Sequence, residues 1–263
     1  MAIPARRWAD NPTEADPVIR RDWIAILPLG ACEQHGPHLP PETDALIAQG
    51  VVDAAVEALP EHLPATFLPV EPVGYSVEHM DFAVTRTLSW HEAINRWLGT
   101  AESLHRFGIR KFVMFNAHGG NAPLMSIVAT EARVRFNMLA VATSWTRFGY
   151  PDGLISAQET AFGIHAGEIE TSVMLALHPD RVDIGKAEDF PSFQQVLAQS
   201  ANYLRAYGPH AFGWKMVDLN SKGATGNALA ATAEKGHALI EHAAAGFIEL
   251  LEDIHAFDAD RLR

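Results

Sequence analysis

Residues 111–124 read KFVMFNAHGGNAPL. KFVMFN (111–116) is an apolar run of strand length, AHGGN (117–121) is a small polar loop, and Pro123 suits the first turn of a helix over residues 122–136 that Asn121 can cap. A strand with no polar face, then a loop, then a helix is the unit of a parallel sheet covered on both sides. The ligands of such a sheet collect beyond the carboxyl ends of its strands. His118 lies at that point, and its neighbouring glycines let the backbone approach a ligand closely.

The unit recurs on either side. WIAILPLG (23–30) reads as a strand that enters the loop GACEQHGPHLPPETD (30–44), after which Thr43 and Asp44 can cap a helix whose apolar stripe runs to Pro60. ATFLPV (65–70) and MLAVATSW (138–145) read as further strands. Residues 89–107 form a helix stopped by Gly108, HAGEIETSVMLALHP (165–179) gives a short helix ended by Pro179, and residues 190–207 and 227–257 give outer helices. The expectation is a single α/β domain over residues 1–263, with residues 1–21 as an N-terminal arm and a mainly parallel sheet between helical layers.

The chain carries 20 Lys and Arg against 32 Asp and Glu, a formal charge of -12, with no basic cluster. That balance argues against nucleic-acid and anionic-membrane partners and in favour of a small substrate. There is no signal-like apolar core and no run of membrane-spanning length, so a cytoplasmic location is expected. A lone cysteine, Cys32, excludes an intrachain disulfide and a thiolate cluster. Any metal would therefore be held by His, Asp and Glu.

The loop after the first strand offers such ligands. Glu33 and His35 leave the same face of an extended chain, Asp44 follows at the mouth of the next helix, and prolines 37, 40 and 41 stiffen the backbone between them. In HAGEIETS, a helical step of about 100° puts Glu170 on the apolar stripe with Val173, Met174 and Leu177, and Glu168 on the other side. A carboxylate on a buried stripe needs a partner, so Glu170 is the better ligand. Glu33, His35, Asp44, His118 and Glu170 are one too many for an ordinary mononuclear site, and they suit two divalent ions that share Asp44. Zinc is expected first, with manganese or iron as alternatives.

A hydroxide bridging two ions is a nucleophile, so the expected reaction is hydrolysis of a C–N bond in a small amide or cyclic amide. His165 is the candidate general acid for the departing nitrogen, and Glu168 stands with it as a catalytic candidate. Tyr75, Ser76, His79, Asn121 and Trp145 lie in loops or at strand ends and are the candidate substrate contacts, and His38 is a supporting residue. Two rivals belong to other classes: a Cys32-dependent hydrolase, and a metal-binding scaffold without turnover.

LPLGACEQHGPHLPPETD, NAHGGN and HAGEIETSVMLALHPDRV together resemble the three signature segments of the creatininase family, in order and at similar spacing. The resemblance runs from about residue 22 to about residue 245. It implies a three-layer α/β/α fold with a four-stranded parallel sheet, a binuclear Zn or Mn site, and often a homo-oligomer, a hexamer of the trimer-of-dimers kind. By motif it gives Glu33 and His118 to one metal, His35 to the other, and Asp44 as the bridge. True creatininases have a His-Tyr-Glu-Asn segment whose glutamate completes the second metal. Here that position is Gly120, and the chain is similar to the His-Gly-Gly-Asn subgroup of formamide hydrolases, the mycofactocin-maturation peptidase and a cyclic-ketone hydrolase, in which Glu170 would supply the ligand. The family's Phe-Pro-Gly-Thr turn becomes Phe82, Ala83, Val84, Thr85, and its Gly-Asp-Pro becomes Gly226, Asn227, Ala228. The implied pocket differs from that of a creatininase.

Overall fold

The computed structural model describes residues 3–12 and 17–262, so residues 1, 2 and 13–16 of the expected arm lie outside the described residues. The strands are β1 (Ile24–Leu29), β2 (Ala65–Phe67), β3 (Lys111–Asn116) and β4 (Leu139–Ser144), with a small pair β5 (Asp189–Phe190) and β6 (Gly226–Asn227). The helices are α1 (Pro17–Arg20), α2 (Thr43–Ala58), α3 (Trp90–Arg106), α4 (Ala122–Phe136), α5 (Ala157–Phe162), α6 (Glu168–Leu177), α7 (Phe193–Ser200), α8 (Met216–Leu219) and α9 (Ala233–Ala256). The main sheet has the order β2-β1-β3-β4 and is parallel throughout.

Strand alternation explains why both faces must be covered. Ile24, Ile26, Val113 and Phe115 join the core under α2, α6 and α9. Ala25, Leu27, Leu29, Phe112 and Met114 join a second core with Trp97 and Leu104 of α3 and Met125 and Val128 of α4. With apolar side chains on each face, the three-layer α/β/α arrangement follows. The arm is not loose where it is described: Arg6 O accepts from Phe67 N at 2.8 Å, and the Arg6 guanidinium donates to Leu63 O at 2.6 Å.

Local signals set the helix boundaries, with four departures from expectation. Ser89 caps α3 in a reciprocal box with Glu92. Ser89→Ala should destabilise the protein by about 1 kcal/mol and lower Tm by about 2–4 °C in a thermal melt. Thr43 and Asp44 lie inside the first turn of α2 rather than capping it, and Asn121 makes no capping bond to α4. Its side chain instead ties Tyr75 N, Gly30 O and Asn116 Oδ1 together. The expected helix 190–207 stops at Ser200, where Arg205 turns back onto the carbonyls of Leu197 and Ala201. The helix expected over 227–257 starts only at Ala233, because Thr232 accepts from Lys235 N and caps it there, while Gly226 and Asn227 pair with β5.

Gly30 shows why β1 and α2 can share a site. A Cβ at this position would lie 2.5 Å from Ala45 Cα, so only glycine lets the strand end pass the first turn of the helix. That close pass carries Glu33, His35 and Asp44 to one point.

Candidate metal centre

The carboxyl ends of β1 and β3, the first turn of α2 and the loop before α6 converge on a buried polar cluster. Glu33, His35, Asp44, His79, His118 and His165 are each less than a tenth exposed. The Glu170 side chain is 14% exposed and reaches the cluster from α6. Ala166, between His165 and that helix, holds a left-handed φ of 52°, a strained conformation for alanine. Its N–H donates to Glu170 Oε2 at 2.7 Å, so the turn aims His165 and Glu170 together.

The histidine hydrogen bonds fix which nitrogen faces the cluster. His35 donates from Nδ1 to Glu33 O at 2.9 Å, which leaves Nε2 facing Asp44 Oδ1 at 3.3 Å and Glu170 Oε2 at 3.8 Å. His118 donates from Nε2 to Tyr75 O at 2.9 Å, which leaves Nδ1 at 3.2 Å from Glu33 Oε1 and 3.3 Å from Asp44 Oδ2. His165 donates from Nε2 to Gln34 O at 2.7 Å and turns Nδ1 towards Glu33 Oε1 at 3.6 Å. A carbonyl can only accept, so each partnered nitrogen carries the proton and the other presents a lone pair.

Lone pairs pointed at carboxylate oxygens repel unless a cation lies between them. Both Glu33 oxygens and Asp44 Oδ2 are buried without a hydrogen-bond partner among the described residues. Donor atoms of Glu33, His35 and Asp44, of His35, His165 and Glu170, and of Glu33, His79 and His165 come within 4.8 Å of one another. Imidazoles that give their second N–H to backbone carbonyls have the posture of metal ligands. The residues therefore fit divalent cations, with Asp44 facing both His118 and His35.

Electrostatics point the same way. Burial alone would raise Glu33, but His118, His79 and His165 hold its carboxyl well below the usual range. Burial, with Asp44 and Glu33 adding repulsion, pushes Glu170 up to about 7 despite His35. The carboxylates compete for positive charge that the histidines supply only by taking extra protons.

Several expected site residues lie elsewhere. Glu168 leaves the cluster: its carboxylate pairs with Lys235 Nζ and lines a separate cleft with Glu159 and Asp189. Both glutamates of the helix start thus found partners, and helical periodicity separates them without saying what each one meets. Trp145 is packed in the core beneath α9, and the Tyr75 ring packs in the other core. Ser76 Oγ lies 3.3 Å from His118 Nε2, so Ser76 and the Tyr75 carbonyl orient that ring. Asn121 braces the loops. His79 does line the cavity, with Nε2 at 3.3 Å from Glu33 Oε1. His38 bonds Thr171 Oγ1 at 2.9 Å and stacks on Phe190. His165, the proton-donor candidate from the sequence, lines the cavity and turns Nδ1 towards Glu33 Oε1 at 3.6 Å. Cys32 is buried, burial pushes its thiol pKa up, and it does not line the cavity, which removes the arrangement a thiol nucleophile needs.

The cavity over the cluster has a volume of about 350 Å³. Its wall includes Glu78, Ile164, Tyr207 and Trp214, none of which the sequence singled out. Glu78 sits between Ser76 and His79 and could have been suspected. Tyr207 and Trp214 follow the point where α7 ends early, and nothing local marked them.

The sequence pattern of the family described as creatininase, creatinine amidohydrolase, matches residues 11–251. A mycofactocin precursor peptide peptidase of Mycolicibacterium smegmatis is 32% identical over 161 residues, 60% of this chain and 60% of that protein. The chain thus spans about three fifths of that relative's length. Creatinine amidohydrolase of Pseudomonas putida is 27% identical over 65% of this chain and 70% of its own. A formylaminopyrimidine monophosphate deformylase of Methanobrevibacter smithii is 29% identical over 74% and 86%. Among solved structures, a creatininase mutant with creatine superposes with a TM-score of 0.76 at 23% identity, covering 96% of this chain and 100% of that one. A Zn–Zn form of creatininase gives 0.71 at 24% identity, covering 90% and 92%. These two likenesses bear on the fold, while the match over residues 11–251 settles kinship: the chain belongs to the creatininase family.

Proposed function

We propose that this protein is a binuclear metal-dependent amidohydrolase that cleaves a C–N bond of a small amide or cyclic amide. The observation that carries the reading is the posture of the three histidines, each giving one ring N–H to a backbone carbonyl and aiming the other nitrogen at carboxylate oxygens, of which those of Glu33 and Asp44 Oδ2 have no hydrogen-bond partner among the described residues. Glu33, Asp44 and His118 would hold one divalent ion, and His35, Asp44 and Glu170 the other, with His165 beside both. Zinc or manganese suits this set of nitrogen and oxygen donors. Bound there, the two ions would supply Lewis acidity and activate water.

The chain's own groups do the rest. Ser76 and the Tyr75 carbonyl orient His118, and Ala166 N–H orients Glu170. Of the four cluster histidines, only His79 gives no ring proton to a backbone carbonyl among the described residues. Burial pushes its pKa down to about 4, so at neutral pH it is an uncharged imidazole beside Glu33 Oε1 at 3.3 Å, and its protonated form would readily give a proton to the departing nitrogen. Tyr207, Trp214 and Ile164 exclude water from the cavity. A peptidase of cofactor maturation is the second reading, favoured by the relative that is 32% identical. Homo-oligomeric assembly and a cytoplasmic location belong to the same proposal; no helix of the described residues is long and apolar enough to cross a membrane.

The test is elemental analysis of protein purified without a metal-binding tag or chelator, followed by a screen of formamides, lactams and short peptides. We expect about two equivalents of Zn, Mn or Fe per chain, and turnover of small amides that chelation abolishes. No bound metal, and none taken up on addition, would overturn the reading.

A further inference from the structure

Position 120 and the loop before α3 are sterically linked. A Cβ on Gly120 would lie 2.5 Å from each of Glu78 Oε1, His118 Nε2 and Tyr75 O, so the Glu78 carboxylate shares with them the volume that a side chain at 120 would need. Glu78 lines the cavity, and its side chain is 15% exposed. Its one ion-pair contact among the described residues is His118 Nε2 at 3.5 Å, whose N–H already goes to Tyr75 O. Glu33, Asp44 and Glu170 face the ring nitrogens and would be matched by the proposed cations. Glu78 also has a donor oxygen within 4.8 Å of donors on Glu33 and His118, but the His118 nitrogen it faces is Nε2, the one whose proton goes to Tyr75 O, rather than the lone-pair side of the ring.

Across the cavity from the cluster the wall is made of Ile164, Tyr207 and Trp214. The Tyr207 hydroxyl donates to Ala161 O at 2.7 Å, and Trp214 Nε1 donates to Ala206 O at 2.8 Å, so both residues turn ring carbon towards the cavity beside Ile164. An acceptor-only carboxylate set among aromatic and aliphatic surfaces is the chemistry that recognises a protonated amine. Donor atoms of Glu78, Glu33 and His118 lie within 4.8 Å of one another, so an amine held by Glu78 would lie only about two or three bonds from a carbonyl held at the cluster.

We propose that Glu78 is a specificity-determining residue that binds a protonated amine adjacent to the scissile carbonyl, making the substrate class small amides with an α- or β-ammonium group. This rests on the reading of the cluster as an amide-hydrolysing metal site. A side chain at position 120 would displace this carboxylate together with the His118 ring or the Tyr75 carbonyl.

The experiment compares alaninamide with isobutyramide, which puts a methyl where alaninamide has its ammonium. Equilibrium Kd values are measured by calorimetry on the zinc-loaded full chain, with ammonia release followed separately. We expect alaninamide to bind about tenfold tighter or more, the range for a hydrogen bond to a charged group. Glu78→Gln should bring the two ligands within about twofold while metal content stays at the wild-type level, and Glu78→Asp, which keeps the charge but withdraws it, should give an intermediate preference. Equal Kd values for the two ligands in the wild type would overturn the proposal. So would a preference that survives Glu78→Gln, or an equal loss of kcat for both amides with the preference unchanged, which would make Glu78 a proton-transfer group. Because the binding heat and the ammonia released are separate readouts, failure to hydrolyse either amide would count against the amidohydrolase reading while the Kd ratio still decides the role of Glu78.

Discussion

Asp44→Asn is expected to strip both cations from the protein and to lower amide turnover by about 10³-fold or more, the range for losing several kcal/mol of metal-derived stabilisation. Asp44 is the carboxylate whose two oxygens face two different histidines, Oδ2 at 3.3 Å from His118 Nδ1 and Oδ1 at 3.3 Å from His35 Nε2. An amide at this position keeps the volume but replaces one acceptor with an NH₂ that points at a lone pair or a cation, and it removes a full negative charge from the shared position. Glu33→Gln should be milder in metal count, because Glu33 faces His118 and not His35. The check is metal content per chain measured alongside turnover. Two equivalents retained in Asp44→Asn, with near-normal turnover, would remove Asp44 from the centre.

That expectation could be framed from the sequence because Asp44 sits where a strand-end loop enters a helix, a place dictated by the apolar runs on either side. All four strands of the main sheet and helices α2, α3, α4 and α6 were legible for the same reason: apolar runs bounded by Gly, Pro and capping residues state both period and boundary. The ends of the chain were harder. The alanines at 228, 230 and 231 favour helix, yet tertiary pairing of Gly226 with Phe190 and the cap at Thr232 decide where α9 begins. Asn121 and Trp145 looked like pocket residues because they follow strands, but that position allows a side chain to turn either into the cavity or back into the scaffold. Asn121 satisfies three buried groups, and Trp145 fills the core. Tyr207 and Trp214 line the cavity after a long irregular stretch, where no periodicity ties residue number to direction. Glu168 shows the same limit inside a helix, since Lys235, its partner, is distant in sequence and nothing near Glu168 announces it.

Metal removal should expose a pH dependence of opposite sign to that of the loaded protein. In the metal-free chain burial alone would push His35 and His118 down, but the facing carboxylates more than offset it. Asp44, Glu170 and Glu33 push His35 up to about 10, and Glu33 and Asp44 raise His118 well above its usual value. Both histidines then carry a second proton where a cation would sit. A group whose folded pKa is raised contributes stability that is fully present below its unfolded value, about 6.5, and is lost as pH rises through the folded pKa. Below that range opposite effects compete, because Glu170 is raised to about 7 while burial lowers His79 and His165. Above it the losses from His35 and His118 dominate. Cation binding requires the same histidines neutral, so rising pH strengthens the loaded form. The Tm gap between zinc-loaded and chelator-treated protein should therefore widen between pH 6.5 and pH 9. Each pKa unit is worth about 1.4 kcal/mol and the two groups act together, which corresponds to a widening of about 10 °C for a chain of this size. Scanning calorimetry of both forms across that range measures it. A gap that stays constant or narrows would mean that protons and cations do not compete for Nε2 of His35 and Nδ1 of His118, and the lone-pair geometry would lose its meaning as a metal centre.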